Sequence, residues 1–375
     1  MNLFFWEKEI LYMLEIAQEL LNAITEKGFE AYIVGGYVRD LYIDKKSDDV
    51  DICTSATPKD LKNIFSTAIL PKEIYGSVTL VYKNIRFEIT TFRAEMKYIN
   101  NRIPSKVEYI NDLLTDLKRR DFTINTICMD PNGNYIDLLE GRKDIDNKII
   151  KTVTDASESM QIDALRILRA IRFATVLDFE LDEELKEAIR KNRELLLNLS
   201  FYRKKSELDK IFNSQNVKKG IALIEELGLS KYLNLTNLAK VNPKVLGIAI
   251  WAQLDGIDKY PFNKVEKEQI KNIRSLIHES VLDNYNLYRY GLYISQIVGE
   301  LKGLDKTKVT KAYNSLQIKR IEDIDITIYE ICQILNRKPD AFLKEILFDL
   351  ERKILYNKLN NKKKNLKSYI KRQYM

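Results

Sequence analysis

Two aspartates separated by one residue carry the strongest chemical signal in the sequence. Asp49 and Asp51 flank Val50 in a β-like run that follows the segment AYIVGGYVRD. On a strand, a spacing of two places both carboxylates on one face. Such donors suit Mg²⁺, which binds a few carboxylates and completes its octahedron with phosphates and waters. The pair therefore predicts a two-metal phosphoryl-transfer site.

The Gly35-Gly36 pair before these aspartates permits a tight turn and a close approach of backbone N–H groups to a phosphate. The spacing of glycine and lysine fits neither a Walker A loop nor the GxGxxG motif. The sequence from the glycine pair to the two aspartates also fits an ordinary turn followed by a charged loop over 48–51. This stretch alone does not separate the two interpretations.

Two later segments add charged residues beside apolar runs. KRRDFTIN at 118–125 places two arginines and an aspartate next to a strand-like run. MQIDALRILRAIRFA at 160–174 repeats a charged residue every three positions on a predicted helix, at Asp163, Arg166, Arg169 and Arg172. Each step drifts about 60° around the axis, so Asp163 and Arg166 are neighbours and Arg172 lies about half a turn away. The alternative is a solvated ion pair at i,i+3, worth about 0.2–0.5 kcal/mol.

Composition excludes several other chemistries. The only histidine is His278, so zinc sites and phosphohydrolase centres built on several histidines are excluded. The three cysteines are far apart, which argues against a disulfide framework and fits a reducing cytoplasm. The apolar N-terminal residues are too few for a signal peptide, and no apolar run approaches the ~20 residues that span a bilayer.

The net charge of +7 is a feature of the C-terminus. Residues 352–375 contain nine Lys or Arg and no acid, whereas the rest of the chain has 52 basic and 54 acidic residues. One interpretation is a phosphate anchor for RNA. The other is a solvated, partly disordered tail.

The sequence pattern of the elements that must position these residues changes near residue 150, from strands mixed with helices to helices only. The first part combines predicted strands at 31–34, 50–54, 77–82 and 86–92 with helices at 5–27 and 59–65, the second capped by Thr57 and Pro58. Beyond Asp155 the segments are rich in Leu, Ile, Lys and Glu, and we predict helices only. The fold class is therefore α+β, with a small mixed sheet and helices first and an all-helical remainder.

The segments GGYVRD, DVDICTSATP, FEITTFRAE, RRDFTIN and DALRILRAIRFA stand in this order between Val34 and Ala174. As an ordered set they resemble the class II tRNA nucleotidyltransferases, the CCA-adding enzymes of the superfamily that includes bacterial poly(A) polymerases. The resemblance implies a catalytic head at 1–150, a neck at 151–215 that selects the nucleotide, a body at 216–302 and a basic, tRNA-binding tail at 303–375. It implies CTP and ATP as substrates, tRNA as partner and Mg²⁺ as cofactor.

The resemblance also implies roles for single residues. Asp49 and Asp51 bind Mg²⁺, and Asp163 and Arg166 form the protein template for the incoming base. The remaining nucleotide contacts are assigned to Gly36, Arg39, Arg120, Asp121, Arg169 and Arg172.

Hydrogen-bonding patterns support the template role. Cytosine and adenine each present an amino donor beside a ring-nitrogen acceptor, which a carboxylate beside a guanidinium complements. Uracil and guanine present a carbonyl beside an N–H and leave the carboxylate and the guanidinium unpaired. Such a mismatch costs more binding free energy than small steric differences do.

Two positions depart from the family pattern. Ile162 stands where an acid usually precedes the template aspartate, and Asn100 stands where an aspartate is common in the loop linked to the switch from C to A addition. The expected activity is addition of C, C and A to the 3′ end of tRNA. CC-only addition, A-only addition, poly(A) synthesis and a silent tRNA-binding protein stay open as alternatives.

Overall fold

The computed structural model describes residues 3–47, 49–72, 76–99 and 103–375, so Asp48 and Asn100 lie outside the described residues. The chain divides into two compact units, Met1–Asn234 and Leu235–Met375. Sheet and helices form the first unit and helices the second, which confirms the predicted fold class. Across the described ranges, no helix combines the length and apolar character that crossing a membrane requires. The finer division into head, neck, body and tail stays a prediction.

The strands all lie in the first unit and are mostly short. In chain order they are β1 Ala31–Val34, β2 Asp51–Thr54, β3 Ile69–Lys72, β4 Ser77–Tyr82, β5 Ile85–Thr91, β6 Arg93–Ile99, β7 Ile103–Tyr109, β8 Cys128–Met129, β9 Tyr135–Ile136, β10 Ile149–Ile150 and β11 Glu180–Leu181. The four strands predicted from the sequence are confirmed as β1, β2, β4 and β5, within one residue at each end.

The main sheet is mixed, with the strand order β3-β4-β5-β2-β1-β8-β9 in the described residues. Strand β2 pairs antiparallel with β1 and parallel with β5. The register places Asp51 beside Val34 on one side and Glu88 on the other. The end of β1 and the start of β2 therefore meet at one edge of the sheet.

The helices of the first unit surround this sheet and continue beyond it. They are α1 Leu3–Thr25, α2 Gly36–Tyr42, α3 Pro58–Ile64, α4 Leu113–Lys118, α5 Gly141–Asp146, α6 Ala156–Ile162, α7 Leu165–Leu177, α8 Glu183–Asn192, α9 Phe201–Phe212, α10 Val217–Glu226 and α11 Ser230–Leu233, with 3₁₀ turns at Thr123–Asn125 and Arg193–Asn198. As predicted, Thr57 caps α3, in a reciprocal capping box with Asp60 and with Pro58 in the first turn.

The helices after α6 pack closely around α7. A Cβ atom on Gly220 of α10 would lie 2.6 Å from Ile211 Cγ2 and 2.7 Å from Thr175 Oγ1. The missing side chain thus lets α10 approach both α7 and α9. This packing fixes α7, whose charged residues include three of the predicted site arginines.

Three local predictions were wrong. The apolar run after Asp121 is a 3₁₀ turn, Thr123–Asn125, instead of a strand. The region beyond residue 155 contains the short strand β11, which pairs in parallel with β10 and is too brief to show alternation. The predicted helix across 160–174 is interrupted at Asp163, which has extended backbone angles of φ −140° and ψ 106°.

The second unit is built from helices α12 Ile248–Gln253, α13 Lys264–Leu276, α14 Asn284–Leu301, α15 Lys306–Asn314, α16 Ile328–Leu335, α17 Phe342–Leu355 and α18 Lys363–Tyr374, with 3₁₀ turns at Leu238–Lys240, Ile257–Lys259 and Ile321–Asp323. Trp251 packs against the rings of Tyr260 and Phe262, at centroid distances of 4.9 and 5.2 Å. These aromatic contacts join α12 to the segment that leads into α13.

The basic C-terminal segment is folded, so the interpretation as a partly disordered tail is wrong. Leu366 and Ile370 of α18 are fully buried. The hydroxyls of Tyr369 and Tyr374 donate hydrogen bonds to Asp349 of α17, at 2.6 and 3.0 Å. Helix α18 is therefore part of the core of the second unit while most of its basic side chains stay exposed.

Candidate active site

The glycine turn and the aspartate pair lie at the edge where β1 ends and β2 begins. Gly35 has φ 85° and ψ −135°, angles that favour glycine because a Cβ atom is strained there. A Cβ atom on Gly35 would lie 3.6 Å from Arg120 Nη1 and 4.0 Å from Asp51 Oδ2. The glycine turn, Asp51 and Arg120 therefore lie close together.

The two aspartates are exposed on either side of buried Val50. Strand β2 begins at Asp51, so Asp49 lies in the loop just before it and not on the strand itself. Desolvation by the surrounding protein atoms raises the pKa of the Asp51 carboxyl. The negative charges of Glu88 and Asp49 also raise this pKa, whereas the positive charges of Arg120 and Arg169 lower it. Asp49 is thus close enough to Asp51 for the two charges to interact.

This donor set fits a hard divalent cation. Two exposed carboxylates at one sheet edge supply oxygen ligands, and their mutual repulsion is relieved by a cation. Among the described residues, no group of three or more His, Cys, Asp or Glu side chains is assembled to hold a metal. Asp49 and Asp51 would therefore share the metal with the phosphates of a substrate and with water.

A buried aspartate anchors the two arginines of RRDFTIN. Asp116 is fully buried, pairs with Arg119 at 2.7 Å and pairs with Arg120 at 3.4 Å. Arg120 Nε is buried and has no hydrogen-bond partner among the described residues. Arg120 is consequently held beside Asp51 with a donor that no described group uses.

A chain of polar side chains joins the glycine turn to α7. Arg39 Nη1 donates to Asn125 Oδ1 at 2.5 Å, Asn125 Nδ2 donates to Asp121 Oδ1 at 3.0 Å, and Arg169 Nε donates to Asp121 Oδ2 at 2.6 Å. We call Arg39, Asn125, Asp121 and Arg169 the polar chain. Burial alone would raise the pKa of Asp121, but the charge of Arg169 and the hydrogen bonds from Asn125 and Arg169 lower it to about 2. Asp121 is therefore ionised at neutral pH.

Three of the predicted arginines converge on one ring. The guanidinium carbons of Arg39, Arg169 and Arg172 lie 5.1, 5.3 and 4.0 Å from the centroid of Phe173. Arg172 also pairs with Glu207 at 2.7 Å. Burial lowers the pKa of Arg172 to about 10, although Glu207 favours its charged form. We call Arg39, Arg169 and Arg172 the arginine cluster.

The predicted template residues are held apart from each other. Asp163 ends α6, and its Oδ2 accepts a hydrogen bond from Arg203 Nη2 of α9 at 3.2 Å. Arg166 donates instead to Ser159 Oγ at 2.7 Å and to the carbonyl of Arg119 at 2.6 Å. No hydrogen bond or ion pair joins the side chains of Asp163 and Arg166 in the described structure, so the alternative of an i,i+3 ion pair is wrong.

Comparison with known proteins identifies the family. The model of the poly(A) polymerase head domain matches residues 31–151, that of the RNA- and SrmB-binding site of polymerase A matches 178–236, and that of domain 2 of tRNA nucleotidyltransferases matches 257–370. The CCA-adding enzyme of Lactococcus lactis subsp. cremoris is 36% identical over 373 residues, covering 92% of this chain and 93% of that protein. The chain belongs to the family of CCA-adding enzymes. The CCA-adding enzyme of Bacillus subtilis is 32% identical and covers 95% of this chain and 97% of its own.

The fold agrees with solved members of the family. The Bacillus stearothermophilus CCA-adding enzyme in complex with CTP matches with a TM-score of 0.84 at 27% identity, covering 96% of each chain. The Thermotoga maritima CCA-adding enzyme complexed with tRNA matches with a TM-score of 0.66 at 21% identity, which shows a shared fold. Membership in the CCA-adding family makes the chain a nucleotidyltransferase that processes tRNA.

The sequence analysis did not single out several residues that contact the candidate site residues. Glu88 stands in the quoted segment FEITTFRAE, and its alternation with buried Phe87 and Ile89 could have placed it on the face of Asp51. Asn125 also stands in a quoted segment, but its role depends on the 3₁₀ turn. Arg203 and Glu207 carry no local signal, because their partners Asp163 and Arg172 are more than 30 residues away in the sequence.

Proposed function

We propose that the chain adds C, C and A to the 3′ end of tRNA from CTP and ATP, through the residues assembled at the edge of β1 and β2. The observation that carries the proposal is the meeting of Gly35, Asp51 and Arg120 at that edge, joined to α7 through the polar chain. Relatives named CCA-adding enzymes over nearly the full chain support the same activity.

The chemical step is a nucleotidyl transfer. The tRNA 3′ hydroxyl loses its proton to solvent, its oxygen forms a bond to the α-phosphorus of the nucleotide, the bond from that phosphorus to the bridging oxygen breaks, and pyrophosphate leaves with the electron pair. Asp49 and Asp51 would hold Mg²⁺, which would lower the pKa of the 3′ hydroxyl and neutralise charge on the phosphates. Glu88 lies next to Asp51 in register and is a candidate to orient this pair.

The nucleotide is held by groups that face the same edge. Gly36 is the first residue of α2 and lies beside the Arg39 guanidinium, where it presents its backbone N–H to the phosphates. Arg120 and the arginine cluster supply donors for the triphosphate, and Asp121 accepts from the ribose hydroxyl. Arginine suits this role because its planar fork of donors matches phosphate oxygens.

Base choice rests on Asp163 and Arg166. The carboxylate accepts from the amino group of cytosine or adenine, and the guanidinium donates to the adjacent ring nitrogen. Arg203 keeps the Asp163 carboxylate in place from the neighbouring helix. Ile162 supplies no charge before Asp163, so Arg203 is the charged support that the described structure offers.

The basic residues of the last helix serve as the tRNA anchor. Residues 358–375 present exposed cations at Lys358, Lys362, Lys363, Lys364, Lys371 and Arg372, with Lys367 half-buried. Lys363 and Lys367 pair with Glu330, whereas Lys364 and Lys371 have no acidic partner among the described residues. The division into head, neck, body and tail follows from these roles, and the free cysteines suit a reducing cytoplasm.

One assay tests the activity. Purified protein, Mg²⁺ and tRNA lacking its 3′ end are mixed with each nucleotide singly and then with CTP and ATP together. The expected product carries three added nucleotides, and UTP and GTP are rejected. Two added cytidines indicate a CC-adding enzyme, one adenosine an A-adding enzyme, and long adenylate tracts on generic RNA a poly(A) polymerase. Ready incorporation of UMP or GMP contradicts the template argument.

A further inference from the structure

One aromatic ring lies at the centre of the arginine cluster. Phe173 is nearly buried, and the guanidinium carbons around it come from two separate segments, α2 and α7. All three distances fall within the ~6 Å over which a guanidinium is attracted to an aromatic face. Phe122 packs edge-on against Phe173, with centroids 5.8 Å apart and planes at 80°, and so fixes the orientation of the ring.

The cluster is electrically balanced before any ligand arrives. Arg39 pairs with Asp40 at 2.7 Å, Arg169 pairs with Asp121, and Arg172 pairs with Glu207. Each guanidinium therefore contacts one carboxylate and the shared ring. Three like charges this close repel one another, and the negative face of the ring offsets part of that repulsion.

Arg172 depends on the ring most. Its Nε lies 2.7 Å from Glu207 Oε2, yet both atoms lack a hydrogen bond of acceptable geometry in the described structure. The ring at 4.0 Å is the shortest of the three guanidinium contacts to Phe173. Arg172 therefore combines a short ion pair with the closest approach to the ring.

We propose that Phe173 is a positioning residue for the nucleotide triphosphate, because its ring holds the three arginines in one arrangement before the nucleotide binds. This inference rests on the proposed function. The ring acts through the arginines and makes no contact with the reacting atoms. An aliphatic side chain fills part of the volume but provides no attractive face, so the guanidiniums separate and must be reordered by the ligand.

The test compares Phe173→Leu with Phe173→Tyr and Phe87→Leu. Phe87 is fully buried in β5, so its replacement removes the same ring volume away from the arginine cluster. Phe173→Tyr keeps the aromatic face. Affinities for CTP, ATP and inorganic tripolyphosphate are measured by calorimetry, and KM and kcat are measured on tRNA lacking its 3′ end.

For Phe173→Leu we expect about tenfold weaker binding of both nucleotides and of tripolyphosphate, equivalent to about 1.4 kcal/mol. KM for the nucleotides rises in parallel, while kcat, KM for tRNA and the preference for CTP and ATP change by less than about threefold. Phe173→Tyr restores affinity to within about threefold of wild type, and Phe87→Leu binds nucleotide normally.

Normal nucleotide affinity in Phe173→Leu overturns the proposal, as does an equal loss of affinity in Phe87→Leu. Failure of Phe173→Tyr to restore binding also overturns it, since the aromatic face is then not the cause. Failure of the proposed function gives a different result, in which the wild-type protein adds no C or A to tRNA. That result does not contradict the role of the ring in binding tripolyphosphate.

Discussion

Asp121→Asn removes the negative charge at the centre of the polar chain. The carboxylate accepts hydrogen bonds from the Phe122 backbone at 2.8 Å and from Asn125 at 3.0 Å, and it pairs with Arg169. Its side chain is 9% exposed, so solvent screens these contacts weakly. The charge of Arg169 and the hydrogen bonds outweigh burial and lower the pKa of Asp121 from 3.8 to about 2.

The pKa shift gives the sign and size of the effect on stability. Since the folded protein has the lower pKa, this carboxylate stabilises the fold at pH values above about 3.8. That contribution is lost as the pH falls through about 2. At ~1.36 kcal/mol per pKa unit, it amounts to about 2 kcal/mol at pH 7. We therefore expect Asp121→Asn to lower the free energy of unfolding by about 2 kcal/mol at pH 7 and by progressively less below pH 4.

Urea unfolding of wild type and Asp121→Asn at a series of pH values between 7 and 2.5 measures this difference. Asp258→Asn is the matched control, because Asp258 is exposed and makes no hydrogen bond or ion pair within the described residues. The control should follow wild type at every pH. A difference that stays constant from pH 7 to pH 2.5 would show that the effect comes from packing and not from the charge, and would refute the reasoning.

Three further predictions concern catalysis and tRNA. Replacing either carboxylate of the Asp-x-Asp pair by alanine should abolish transfer in single-turnover assays with little change in tRNA Kd, and the double variant should be little worse; near-normal turnover in a single variant removes the pair from the mechanism. The double change Asp163→Ala with Arg166→Ala should relax discrimination against UTP and GTP as well as slow addition; an unchanged preference contradicts the template role. Lys364→Gln with Lys371→Gln should lower the slope of log K against log[salt] for tRNA by about 1.4–1.8 and leave KM for CTP unchanged; an unaltered slope places the anchor elsewhere. These substitutions are preferable to removing the segment, because truncation also deletes buried Leu366 and Ile370.

Local sequence patterns were enough for much of the fold. Runs rich in Val, Ile, Thr and aromatic residues predicted β1 and β4 with their observed bounds, because such residues favour strands. The cap at Thr57 and Pro58 predicted the start of α3, since capping depends on adjacent residues only. The short strands β8 to β11 escaped prediction because two residues cannot display a period.

The contacts among the candidate site residues could not be predicted from the sequence. The sequence selected Arg39, Asp121 and Arg169. In the structure Asn125 joins Arg39 to Asp121, and Arg169 donates directly to Asp121. Phe173 looked like an ordinary apolar residue of an amphipathic helix. Contacts of this kind depend on which distant segments meet, which periodicity does not reveal.

The error at Asp163 bears directly on how bases are selected. On a continuous helix, Asp163 and Arg166 would be neighbours at i,i+3 and free to neutralise each other. Such a pair satisfies its own donors and acceptors, so a base gains little by replacing it. The extended backbone at Asp163 interrupts the helix, directs the carboxylate to Arg203 and leaves Arg166 bound to Ser159 and Arg119. The break thus leaves the two side chains with separate partners, so under the proposed template role a base must compete with Arg203 for Asp163 and with Ser159 and the Arg119 carbonyl for Arg166.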